Sequence, residues 1–216
     1  MSDFFNGIIV GISQTIIGHP LDTIKTNIQG GKKINILSPY KLYGGVIYPM
    51  ISSGIINGIM FYSNGGINEY SNNFFISGGL TGLLTSPIIN VFDLYKIKTQ
   101  LGKPIHEVFK RPFIGLTATL ARESLATSIY FGSFHQFKEN NYNIFLAGGS
   151  SGVLSWLLTY PLDVIKTRIQ SGEYLRWKCA IKGGNIWNGL YTCLFRGFLV
   201  NGVSFTIYNY MDELAE

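Results

Sequence analysis

The chain has 216 residues, of which 13% are charged and 46% hydrophobic, with 26 glycines and a formal charge of +5. Soluble domains carry about twice that share of charge, and disordered chains are far less apolar. Two cysteines, Cys179 and Cys193, are too few for a disulfide scaffold, and the 17 basic residues form no block or motif that would mark a nucleic-acid partner.

Six nearly uncharged stretches follow one another: Phe4–Leu21, Leu42–Asn68, Tyr70–Phe92, Pro112–Phe137, Asn140–Leu162 and Gly183–Met211. The fourth is broken only by Arg122–Glu123 and the sixth only by Arg196. Each approaches or exceeds the roughly 20 residues that a helix needs to cross a bilayer. Buried helices of a soluble α-protein are the alternative, but six such segments leave little polar surface for water. An all-α membrane protein with six transmembrane helices is therefore expected. The mean hydropathy of +0.22 suits helices that meet lipid on one side and water on the other. Met1–Asp3 leads straight into an apolar stretch, so no cleavable targeting segment is expected. Phe, Tyr, Met, Ile, Asn and Lys number 88 against 44 for Gly, Ala, Arg and Pro. That bias points to an AT-rich genome, as in some protists and large DNA viruses.

The chain repeats itself about every seventy residues. Residues 20–29 read Pro-Leu-Asp-Thr-Ile-Lys-Thr-Asn-Ile-Gln and residues 161–170 read Pro-Leu-Asp-Val-Ile-Lys-Thr-Arg-Ile-Gln, alike at eight of ten positions. A third copy, residues 91–100, lies between them. Asp22, Asp93 and Asp163 are 71 and 70 residues apart, as are Lys25, Lys96 and Lys166, and Gln29, Gln100 and Gln170. The middle copy has Val91 in place of the proline, with Pro87 one turn earlier. Upstream, Gly7 and Gly11, Gly78 and Gly82, and Gly148 and Gly152 form three Gly-x-x-x-Gly pairs in register, a pattern that lets helices approach closely. Downstream, residues 113–122 align without gaps to 187–196, and Tyr43-Gly-Gly45 stands at the matching point of the first copy. Three two-helix repeats result, at residues 1–70, 71–139 and 140–216, forming one integrated domain.

Three copies of this signature, each preceded by a glycine pair, resemble the mitochondrial carrier family over nearly the whole chain. The resemblance implies a threefold bundle around a central cavity. Pro20, Pro87 and Pro161 would bend the first helix of each repeat. Asp22 with Lys96, Asp93 with Lys166, and Asp163 with Lys25 would close a ring, the matrix gate, braced by Gln29, Gln100 and Gln170. The second gate departs from the family. Phe61-Tyr-Ser-Asn-Gly has no charge, His135 and Asn209 replace the acids, and Asp212 stands where a base belongs. At most a hydrogen bond or one Lys138–Asp212 pair is expected there, hence a weak closure. The aromatic-x-Gly starts at Tyr43, Phe113 and Trp187 resemble cardiolipin-binding helix N-termini, although each lacks the usual basic residue. Only about a dozen to sixteen residues separate each Gln from the next such start, so short matrix-side helices are expected.

Arg122, Glu123 and Arg196 are the charges well inside the second helices, and ionisable groups at such depth mark function. Repeat alignment puts Arg122, Arg196 and Ser52 at one level, with Ser53 and Asn57 nearby. An arginine can hold a carboxylate through two bonds while the acid attracts an ammonium. This arrangement resembles the amino-acid and carnitine branch of the family. A nucleotide or deoxynucleotide held by two arginines is the alternative substrate, and a non-transporting membrane scaffold the alternative class. No phosphate loop, zinc spacing or nucleophile motif supports an enzyme, and no cofactor is expected beyond bound cardiolipin. The resemblance implies alternating-access exchange by a multi-pass protein of the mitochondrial inner membrane, working as a monomer among membrane lipid.

Overall fold

The computed structural model describes residues 2–29, 43, 46–71, 73–100, 111–172, 174, 176–184, 186–187 and 189–213, without the side chains of 2, 22–29 and 98–100. The described residues form helices and connecting turns, and no strand. The helices are α1 (Ser2–Gln29), α2 (Ile47–Asn68), α3 (Phe74–Gln100), α4 (Leu116–Glu139), α5 (Ile144–Gln170), the short α6 (Trp177–Lys182) and α7 (Leu190–Glu213).

Local chemistry starts several of these helices. Asn73 and Asn143, 70 residues apart, each accept a hydrogen bond at 2.9 Å from the backbone N–H two residues on, the N-cap arrangement. Gly115 and Gly189 take φ of 76° and 88° immediately before α4 and α7, a left-handed turn that a side chain would strain. Pro20, Pro87 and Pro161 lie inside α1, α3 and α5, which continue beyond them to the signature glutamines.

The six long helices close into a ring. Packing is most extensive between α1 and α2, α3 and α4, and α5 and α7, and contacts of α2 with α3, α4 with α5, and α1 with α7 complete the circuit. The glycine pairs make the tight contacts. A methyl group on Gly7 would meet the Asn57 carbonyl oxygen at 2.6 Å, one on Gly78 the Thr127 carbonyl oxygen at 2.5 Å, and one on Gly148 the Asn201 carbonyl oxygen at 2.8 Å. Gly11, Gly82 and Gly152 press likewise on Ser53, on Glu123 and Thr127, and on Asn201.

The bundle is polar inside and apolar outside. Ser77, Thr81, Thr85, Ser86 and Asn90 of α3 are buried, while Ile76, Leu80, Leu83 and Leu84 point outward. Water would penalise that arrangement and lipid favours it. Segments Asp3–Leu21, Phe74–Ile97 and Leu190–Glu213 are long and apolar enough to cross a membrane by length and composition. The remaining long helices have 22 to 27 residues, and their polar groups turn inward: Asn57 and Asn64 of α2, Glu123 of α4 and Lys166 of α5 are all buried. The short α6 packs on the signature end of α5, where Ala180 joins Ala118, Ile165 and Ile169 in an apolar cluster.

Candidate functional site

Glu123 lies in the first half of α4, where Gly82 brings α3 against its backbone. The Thr127 hydroxyl, 2.7 Å from the Gly78 carbonyl oxygen, ties the same two helices. The Glu123 carboxylate is 4% exposed and has two cationic partners. Arg122 Nη1 donates to Oε2 at 2.7 Å and Lys166 Nζ donates to Oε1 at 2.9 Å. Lys166 also lies 2.6 Å from Asp93 Oδ2, and Arg122 Nε lies 3.4 Å from Asp163 Oδ1. A continuous chain of charge results, Asp93–Lys166–Glu123–Arg122–Asp163, spanning α3, α4 and α5. Three carboxylates against two cations leave these five groups with one surplus negative charge. The Arg122 guanidinium also lies 5.0 Å from the Trp156 ring centre, a favourable cation–π distance.

A cavity of about 160 Å³ opens beside this chain, lined by residues of α1, α2, α4, α5 and α7 that include Gln14, Asn57, Arg122, Glu123, Tyr130 and Trp156. Its walls therefore carry one acid, one base and several neutral amides and hydroxyls. Such a surface is suited to a small dipolar solute. It holds no nucleophile–base pair, and no metal-binding cluster of His, Cys, Asp or Glu occurs among the described residues.

A profile of the family described as mitochondrial carrier protein matches residues 138–178. A mitochondrial arginine transporter of Arabidopsis thaliana is 28% identical over 265 aligned positions, covering 95% of this chain and 88% of the relative. A glutamate/glycine mitochondrial carrier of Schizosaccharomyces pombe is 22% identical, covering 98% and 93%. A mitochondrial basic amino acids transporter of Homo sapiens is 25% identical, covering 93% and 79%. The chain is thus similar to mitochondrial carriers over nearly its whole length. The proteins it resembles are named as mitochondrial transporters and carriers. The alignment with the plant relative is longer than this 216-residue chain, so the chain lacks segments that the relative has.

Of the ion pairs expected around the axis, Asp93–Lys166 has both partners described and is in contact. Asp22, Lys25 and Gln29 lie on α1 and Gln100 on α3, but their side chains fall outside the described residues, so two pairs of the ring and two of the braces do too. Lys96 is exposed, and Asp163 approaches Arg122. Gln170 departs from the bracing role. It is 1% exposed and donates to Asn90 Oδ1 at 2.9 Å, while Thr119 Oγ1 donates to the same oxygen at 2.8 Å. Asn90 in turn donates to the Pro112 carbonyl. The glutamine thus knits α5 to α3 and α4 and touches no ion pair among the described residues.

The other expected contacts divide. Asn57 lines the cavity and donates to Gln14 Oε1 at 3.2 Å. Ser52 and Ser53 do not line it: Ser52 donates to the Pro49 carbonyl, and Ser53 donates to the Gly11 carbonyl at 2.8 Å, locking α2 to α1. Arg196 does not line the cavity, and its guanidinium fills the space beside Gly18 of α1. Gln14 and Trp156 break the repeat symmetry, each occurring at its level in a single repeat, whereas Asn201 stands at the level of Asn57 in the third repeat and was legible from it.

The far end of the carrier is shut by rings. Phe61, Phe134 and Tyr208, the last two directly before His135 and Asn209 of the degraded second gate, converge there with Tyr130, Phe131 and Phe205. Phe134 stacks on Phe205 at 3.5 Å and 3°, and Phe61 on Tyr208 at 4.4 Å. This cluster separates the cavity from a second hollow of about 190 Å³ nearer the ends of α2, α4 and α7. Lys138 donates to Asn209 Oδ1 at 3.0 Å and makes no ion pair with Asp212 among the described contacts. The loose closure expected from the missing charges is thus a packed one, because apolar contact takes over.

Proposed function

We propose that this carrier exchanges a small amino acid or similar zwitterion across the mitochondrial inner membrane by alternating access, as a multi-pass protein. The observation that carries this reading is the buried Arg122–Glu123 pair on the cavity wall, shared with Lys166 and Asp163. A substrate carboxylate taken by Arg122 competes with Glu123 and Asp163. A substrate ammonium taken by Glu123 competes with Lys166, which then belongs to Asp93 alone. Substrate binding and the matrix-side ion pairs are therefore alternatives for the same groups, which favours exchange over free passage. The size of the cavity and the surplus negative charge of the ion-pair chain beside it favour an amino acid over a nucleotide, whose phosphates Glu123 would repel. The relatives named for arginine, for basic amino acids and for glutamate and glycine support the same class. Cardiolipin belongs to this proposal as a bound lipid at the starts of α4 and α7, where backbone N–H groups and the helix dipole favour a phosphate.

The test is uptake by liposomes containing the purified protein and preloaded with defined solutes. Labelled amino acid should enter only when an amino acid is inside, and Glu123→Gln should abolish this. Exchange of deoxynucleotides, unchanged or improved in Glu123→Gln, would replace the amino-acid reading with the nucleotide one. A folded protein that exchanges neither class would leave the scaffold.

A further inference from the structure

We propose that the hydroxyl of Tyr130 is a specificity-determining substrate contact, selecting amino acids whose side chain is long and ends in a hydrogen-bonding group. This rests on the amino-acid reading above and adds to it the part of the substrate that is discriminated.

Tyr130 lines the same cavity as Arg122 and Glu123, and the residue is only 7% exposed. Its hydroxyl oxygen is buried and has no hydrogen-bond partner among the described residues. Buried polar groups are nearly always paired, so an orphan at the wall of a binding cavity marks a place for a ligand atom. The ring is held firmly, against Phe205 at 4.8 Å and Phe131 at 5.3 Å, so the hydroxyl has little freedom to turn elsewhere.

Position defines the ligand. Tyr130 follows Glu123 by seven residues, two turns along one face of α4, or about 10 Å of rise. Long side chains on a helix lean toward its N-terminus, which brings the hydroxyl back toward Glu123. Between the two levels the cavity wall presents Ala126, which is small, and Thr127, whose hydroxyl is engaged with the Gly78 and Glu123 carbonyl oxygens. The gap between them belongs to the same cavity, with the charged pair at one level and the tyrosine at the other. An amino acid whose α-carboxylate and α-ammonium occupy Arg122 and Glu123 extends its side chain into that gap. Arginine, citrulline, lysine or glutamine reaches toward the hydroxyl, whereas glycine or alanine leaves it unpaired. Tyr130 both donates and accepts, so it serves amides, ureas, guanidinium and ammonium groups.

The experiment compares KM in liposome exchange for arginine, citrulline, alanine and glycine, in the native protein and in Tyr130→Phe. Phenylalanine keeps the ring and its stacking and removes only the oxygen. KM for arginine and citrulline should rise about tenfold, the value of one well-made hydrogen bond to substrate. KM for alanine and glycine should stay unchanged, and so should kcat. The ligand-free variant should melt at the same or a higher temperature, since the lost hydroxyl had no partner. Equal changes for long and short substrates, or a lower melting temperature without ligand, would make the hydroxyl structural and overturn the proposal. A native protein that exchanges only short amino acids overturns it while sparing the amino-acid reading. One that exchanges no amino acid removes both.

Discussion

Lys166 is the residue on which the two halves of the site depend, because its single ammonium serves Asp93 at 2.6 Å and Glu123 at 2.9 Å. Exchanging the charges of an isolated pair, Asp93→Lys with Lys166→Asp, ordinarily restores it. Here the new carboxylate at 166 would face Glu123, so the double variant should be no more stable than the single ones. Breaking a buried pair costs about 3–5 kcal/mol when the remaining charge is uncompensated. Adding Glu123→Gln to the swapped pair removes the clash, and the triple variant should melt higher than the double. Thermal unfolding in detergent decides this, and a swapped pair that recovers fully by itself would show that Glu123 does not share the lysine. The sequence was informative about Asp93 and Lys166 because threefold repetition fixes their register. It was silent about Gln170 with Asn90 and Thr119, since that contact joins a signature residue to two outside the signature. Ser52 and Ser53 show the opposite error. Alignment placed them at the binding level, but a serine on a helix readily bonds to nearby backbone carbonyls, and these two do.

At the scale of helices, the glycine pairs determine how closely each repeat folds on itself. Gly82 packs so tightly on α4 that a methyl group would meet the Glu123 carbonyl oxygen at 2.5 Å. Gly82→Ala must push α3 from α4 at the level of the charged chain. Overpacking of this kind costs about 1–3 kcal/mol, and the displacement of Glu123 should lower exchange more than stability alone explains. Gly66, on α2, has nothing within 4 Å of such a methyl group, so Gly66→Ala should be neutral or stabilise by up to about 1 kcal/mol. Melting temperature and exchange rate, measured together on both variants, check the contrast. The six helices were legible from their uncharged runs, but their ends were not. Helices α1, α3 and α5 continue beyond those runs to Gln29, Gln100 and Gln170, because the signature lies within the helices and does not terminate them.

For the whole molecule, the two ends of the cavity are closed by different forces. Charges meet on the side of Asp93 and Lys166, and aromatic rings meet on the side of Phe61, Phe134, Phe205 and Tyr208. Replacing Phe134 with alanine removes the ring stacked on Phe205, and about 3–5 kcal/mol of packing goes with it. The variant should release preloaded amino acid without any counter-solute, whereas the native carrier should retain it. Retention by Phe134→Ala equal to native would mean that the rings are not the seal. The aromatic closure also gives the carrier a temperature dependence of its own. Apolar association in water weakens on cooling, while attraction between charges has no such decline. In the cold the ring-closed end should therefore be the first to loosen. Chilled vesicles would lose their contents through that end, in a way that added salt does little to prevent or promote.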